Sequence, residues 1–225
     1  MTQPLHPEGS ERRKLETAVG GGTTAETLAG LGAGTLAIIG LAGILPVYMT
    51  SVGVIAAGGA LFIEGLAVAG AHAKIESEQE AATGRAEELA VGGGFGAQSL
   101  GGAAAVVLGI LALTGIMPGT LLPVAVMVLG AALLLGGPAR AEFRWSALER
   151  YGASSRALHV ANQAIRGATG LLSIVGIGAI VLGILALTRT GPARVMTLVA
   201  LLAVASAEVI GGSAMLGRLT AGHRH

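Results

Sequence analysis

Residues 28–45 pass without a charged side chain, and five more long apolar runs follow, at 47–71, 100–117, 121–137, 171–188 and 195–216. A helix rises 1.5 Å per residue, so about 20 residues cross the roughly 30 Å hydrocarbon layer of a bilayer. Inside hydrocarbon the backbone must satisfy its own hydrogen bonds, which leaves helices or closed barrels. A barrel strand alternates apolar and polar residues, whereas these runs are continuous. The expected fold is therefore all-α and integral to the membrane, with six transmembrane helices in three hairpins. Pro46, Pro118 with Pro123, and Pro192 fall at or near the hairpin tips, where a missing N–H and a fixed φ stop one helix and start the next.

The hairpins resemble one another, as the members of a tandem array do. Ala18-Val19-Gly20-Gly21-Gly22 returns 72 residues later as Ala90-Val91-Gly92-Gly93-Gly94, and a degraded copy, Ala164-Ile165-Arg166-Gly167-Ala168, follows 74 residues on. Residues 107–114 return letter for letter as 181–188, with 38–43 a looser relative. At the end of each unit, 60–65 lines up with 132–137 and with 207–212. Three tandem copies of about 70 residues are the simplest reading. It divides the chain into a cytoplasmic N-terminal segment with a short amphipathic helix (1–22), a first hairpin (23–75), a second unit of surface helix, hairpin and the start of an interfacial helix (76–152), and a third of interfacial helix, hairpin and short cytoplasmic tail (153–225).

Composition narrows the class further. Only 12% of residues are charged and mean hydropathy is +0.74, a profile for a polytopic membrane protein rather than a soluble domain. The absence of cysteine excludes disulfides, iron–sulfur clusters and thiolate zinc sites. A net charge of +1 argues against nucleic acid as a partner, since phosphate binding needs a concentrated basic face. The first fifteen residues are polar and lack the apolar core of a cleavable signal peptide, so the N-terminus is expected to be kept.

Lys and Arg in short loops set orientation. The first two tips carry none and the third carries Arg189 and Arg194, while the tails and the two connections between hairpins hold the other twelve. Both termini and both connections are expected to face the cytoplasm, with the chain in the cell (inner) membrane. The connection 139–167 mixes arginines with Phe143, Trp145, Leu148 and Tyr151, a pattern for a helix lying in the headgroup layer with Phe143, Trp145 and Tyr151 at the interface. Residues 74–90 read as a polar helix continuing out of the second span. The repeat unit becomes surface helix, glycine break, transmembrane hairpin.

Glycine-rich stretches such as Gly30-Leu31-Gly32-Ala33-Gly34 resemble fragments of nucleotide fingerprints, but no strand precedes them and no Gly-Lys-Ser/Thr follows. They fit helix packing better, since small residues let backbones approach; Gly30, Gly34, Gly58, Gly109, Gly176 and Gly183 are the expected contact points. None of the five histidines lies inside an expected span or pairs at the i, i+4 spacing of a zinc site. No metal, cofactor or catalytic constellation is expected, and the chain reads as a non-enzyme.

Two acids lie within the spans, Glu64 and Glu208. A charge in the hydrocarbon costs a few kcal/mol on insertion scales, about 2.5–3.5 at a helix centre, so each acid should be neutral, paired or facing water. The middle hairpin carries Gly136 and Leu133 at the matching positions, so the fold itself does not demand an acid there. Three roles compete: interhelical glue through a backbone carbonyl or Thr50, Ser51, Ser206 or Ser213; proton or cation binding; and, for Glu64, snorkelling to the interface. Glycine-rich hairpins with an acid on the second helix are similar to the proteolipid of rotary ATPases. The long connections here, and tips lacking that family's polar loop, depart from it, and its function is not carried over. The leading expectation is a structural or assembly component that self-associates in the bilayer, as a homo-oligomer or membrane complex, or anchors a cytoplasmic protein. The alternative is a small proton or cation channel or transporter that uses Glu64 and Glu208.

Overall fold

A computed structural model describes residues 27–83, 90–150 and 155–221. Those residues are helical except at three tips. The helices are α1 (Thr27–Leu41), α2 (Pro46–Thr83), α3 (Ala90–Leu113), α4 (Pro118–Arg150), α5 (Ser155–Leu187) and α6 (Ala193–Ala221). Five contain stretches long and apolar enough to cross a bilayer: Pro46–Leu66, Gly96–Leu113, Pro118–Gly137, Gly170–Leu187 and Ala193–Gly211. The described part of α1 is apolar but shorter.

The tips show how the sequence turns each helix back. Gly43 and Gly115 have φ of 87° and 88°, the left-handed conformation that glycine adopts without a Cβ penalty. At the first tip Gly43 N–H donates to Gly40 O and Ile44 N–H to Ile39 O; at the second, Gly115 donates to Ala112 O and Ile116 to Leu111 O. This 5→2 and 6→1 pair is the Schellman ending, which satisfies two carbonyls the helix would otherwise orphan. The third tip puts Arg189 in that place at φ 54°. There the Thr190 hydroxyl, at 3.3 Å, donates to Leu185 O, the carbonyl that a 6→1 bond would serve.

The helices pack as an inner three and an outer three. α2, α4 and α6 touch one another, α3 packs on α2 and α4, and α5 packs on α4 and α6. α1 completes the ring, with Gly30 against Ala205 of α6 and Ala33 against Gly53 of α2. In the spans of α2, α4 and α6, 44%, 50% and 44% of residues are buried, against 33% and 28% for α3 and α5, so the second helix of each hairpin is the inner one. The outer helices turn Leu28, Leu31, Ile38, Val107, Ile174 and Val181 outward, as helices facing lipid do.

Two expectations about the connections need correction. Gly92, Gly93 and Gly94 lie inside α3, which starts at Ala90 without a break. Glycine costs only about 1 kcal/mol in a helix interior, and an already nucleated helix propagates cheaply. The described parts of 139–167 are continuous with the spans: α4 runs unbroken from its span to Arg150, and α5 runs from Ser155 into the next span. The same continuity carries α2 out to Thr83. The first glycine run, 20–22, and the segment before it lie outside the described residues.

Candidate functional site

Glycine decides where the backbones meet. A Cβ on Gly102 would lie 2.6 Å from Gly58 O and from Phe62 N, and one on Gly58 would lie 2.8 Å from Gly102 O, so α2 and α3 cross backbone to backbone. Gly130 and Gly176 repeat that crossing between α4 and α5, each 2.6 Å from the other's carbonyl. Between α6 and α1 the pair is Ala205 and Gly30, where a Cβ on Gly30 would lie 2.9 Å from Ala205 O. Further along, Gly109 fits against Ile55 and Ser51 O, and Gly183 against Met127 and Pro123 O. A Cβ on Gly34 would make only ordinary contact, 3.6 Å from Ala205 Cβ.

These crossings align α2, α4 and α6. A pit of about 110 Å³ at the tip end is lined by Pro46, Val47 and Thr50, by Pro118, Gly119, Leu122 and Pro123, and by Ala193, Arg194 and Thr197. The three inner helices thus offer matching positions to one space. Following the same register away from the tips, successive levels are Val54, Val126 and Leu201, then Ala57, Leu129 and Val204, then Leu61, Leu133 and Glu208. All nine are between 0% and 1% exposed. Eight are apolar and the ninth is an acid.

Glu208 is therefore set in a leucine level of the inner three. Its Cβ would lie 3.0 Å from a Cβ on Gly30, so the bare glycine of α1 is what lets α1 close over it. Glu64 lies about one turn further from the tips than Leu61, which shares the level of Glu208, and is half-buried on α2. Gln98 of α3, fully buried, donates from Nε2 to Glu64 Oε2 at 2.8 Å. The amide comes from the next hairpin, so the bond ties hairpin one to hairpin two.

Gly136 leaves the room that the Gln98 amide occupies. A Cβ there would collide with Gln98 Oε1 and lie 3.1 Å from its Cδ. Oε1 accepts no hydrogen bond among the described residues. The middle hairpin's glycine at the position matching Glu64 is thus more than a missing acid: it is the space into which the partner of Glu64 folds.

The hydroxyls expected to serve the acids are engaged elsewhere. Thr50, Ser51 and Ser206 donate to Pro46 O, Val47 O and Leu202 O, at 2.6, 2.8 and 2.8 Å. A helical hydroxyl reaches the carbonyl four residues back without any tertiary contact, and that local bond wins. The side chain of Ser213 lies outside the described residues, as does Tyr151; Phe143 and Trp145 are on α4 beyond its span. Gln98 escaped the sequence reading because it stands two residues before the expected third span. Its signal was its type, a lone uncharged amide at the edge of a glycine-rich apolar run.

Among the described residues no group of three or more His or acidic side chains could hold a metal ion. The class defined by this fold is a polytopic α-helical membrane protein, with three inner helices sealed by buried side chains and two acids placed on them. Comparison with protein-family models, with curated proteins and with solved structures finds no match.

Proposed function

We propose that the chain is a structural or assembly component of a membrane, made of three repeated hairpins closed into a ring, with both termini and both connections in the cytoplasm. It acts by self-association in the bilayer or by anchoring a cytoplasmic protein. The observation that carries this reading is the sealed axis: the levels from Val54 to Val204 are apolar and fully buried, so the inner helices are committed to packing. The pairing of Glu64 with Gln98 points the same way, since an interhelical hydrogen bond in lipid adds stability, about 0.6 kcal/mol on average. The repeat reading is supported by crossings that recur at the sequence offsets: Gly58 and Gly130 are 72 apart, and Gly102 and Gly176 are 74 apart. The cytoplasmic placement is supported by the Lys and Arg bias. Native mass spectrometry of the protein purified in mild detergents is expected to show an oligomer or a retained partner. A bare monomer in every detergent overturns the proposal.

One observation favours a second reading, proton or cation handling. Glu208 is a carboxyl group in the third level below the pit, and intramembrane acids mark ion pathways in many proteins. Reconstituted vesicles would then show a flux that Glu208→Gln and Glu64→Gln each abolish with the fold retained. Flux unchanged in the double variant removes this reading.

A further inference from the structure

The pit at the tip end is bordered by matching positions of the three inner helices, and the matches are not equal. Val47 of α2, Gly119 of α4 and Arg194 of α6 share one position; Thr50, Leu122 and Thr197 share the position a turn further in. Two of the three hairpins border this space at the first position with an apolar side chain and with none, so the fold itself asks for no cation there. Arg194 is an addition to it.

Nothing at this end of the ring neutralises that charge. No acidic residue stands between Glu26 and Glu64, between Glu88 and Glu142 or between Glu149 and Glu208, so the three tips and the halves of the spans beside them carry no negative side chain. Glu208 is 14 residues from Arg194, about 21 Å along α6, with the apolar levels of the axis between them. The N-terminal ends of α2, α4 and α6 border the same pit, and their partial positive charge adds to that of the guanidinium.

The other polar side chains of the pit are Thr50 and Thr197, each 4% exposed. Their hydroxyls donate to Pro46 O and Ala193 O at 2.6 and 2.8 Å. Each of those carbonyls also receives the main-chain bond of its helix, and a hydroxyl proton rotates to suit its partner. Either threonine can therefore turn to a bound acceptor without orphaning a carbonyl. The volume, about 110 Å³, is somewhat below the roughly 150 Å³ of an apolar cavity that admits benzene, so what enters is a group of a few heavy atoms. A guanidinium fork beside two hydroxyls suits an oxyanion.

We propose that the tip-end pit binds a small oxyanion of the phosphate class, free or carried on a lipid headgroup, through Arg194 with Thr50 and Thr197. Neither of the two roles above is needed for it.

Thermal unfolding of the full chain in a neutral detergent reads the binding, because a ligand of the folded state raises the midpoint. One arm adds inorganic phosphate at constant ionic strength; the other adds phosphatidylglycerol, with phosphatidylcholine as its net-neutral counterpart. The native protein is expected to show a rise, and so is Arg189→Gln, which removes the other tip cation and leaves the pit lining alone. Arg194→Gln is expected to weaken binding about tenfold or more, as the loss of a hydrogen bond from a charged group does. Gly119→Leu is expected to weaken it with every charge kept, since Gly119 lines the pit and a Cβ there meets no atom within 4 Å. In Val47→Arg with Arg194→Gln the cation returns from α2, and the rise is expected to return with it. A rise with phosphate assigns a free ion as the ligand; a rise with phosphatidylglycerol alone assigns a headgroup. No rise in either arm overturns the proposal, as does one that Arg194→Gln leaves unchanged or that Arg189→Gln abolishes equally. A loss in Arg194→Gln that Gly119→Leu does not reproduce and Val47→Arg does not repair puts the anion on the open surface, which also overturns it. Arg194 is exposed, so its replacement is expected to fold; if it does not, Gly119→Leu alone decides, binding unchanged there overturning the pit as the site.

Discussion

At the scale of single residues, the notable economy is the trio Glu64, Gln98 and Gly136. The carboxylate needs a donor that the apolar helix around it cannot supply. The donor is an amide long enough to cross from α3, and the amide needs the missing Cβ of α4. Gln98→Leu removes that hydrogen bond to the half-buried Glu64, which is expected to lower stability by about 0.5–1.5 kcal/mol. Gly136→Ala should destabilise as well, through collision with Gln98 Oε1. Gly59→Ala serves as the control: no atom lies within 4 Å of a Cβ there, so it should be neutral or add about 0.5–1 kcal/mol. Unfolding by denaturing detergent, followed by helicity, ranks the three. Equal losses in Gly59→Ala and Gly136→Ala would refute this account of the site.

At the scale of elements, the tips differ in quality although their outline is shared. Two helices end on a glycine at positive φ, and α5 ends on Arg189, which adopts φ 54° against the preference of a side chain. A left-handed L-residue costs about 1–2 kcal/mol, so Arg189→Gly is expected to raise the thermal midpoint and Gly115→Ala to lower it. Reversal of either sign in a thermal melt would mean that the tip is held by something other than its backbone ending. The unbroken length of α2, α4 and α5 belongs to this scale too. For α2 that continuation is the one expected of residues 74–90, whereas the described parts of 139–167 extend the spans of α4 and α5, because helix formers placed next to a stable helix need no new nucleus.

At the scale of the whole molecule, the ring gives the topology a sharper test. The tips should label from outside the cell and the connections from the cytoplasm. Thr50 makes a poor reporter because it is buried beside the pit. Single cysteines at the exposed tip positions Ala42, Thr120 and Thr190 are expected to react with an impermeant thiol reagent in intact cells, and one at Ser155 only after permeabilisation. The opposite pattern would invert the molecule.

What the sequence determined by itself is the inventory: helices rather than strands, their hairpin pairing, the places where proline and glycine turn the chain, and the two acids. Those follow from continuous hydrophobicity and backbone chemistry, which act over a few residues and can be read in a line. The tertiary structure decided which helices lie inside, that Glu64 is held by Gln98 rather than by the nearby hydroxyls, and that Glu208 lies at the level of Leu61 and Leu133. The helices are apolar nearly all round, so no stripe of hydrophobicity marks an inner face. In lipid, the choice of neighbours falls to close approach and single polar contacts, and both depend on residues brought together from different hairpins.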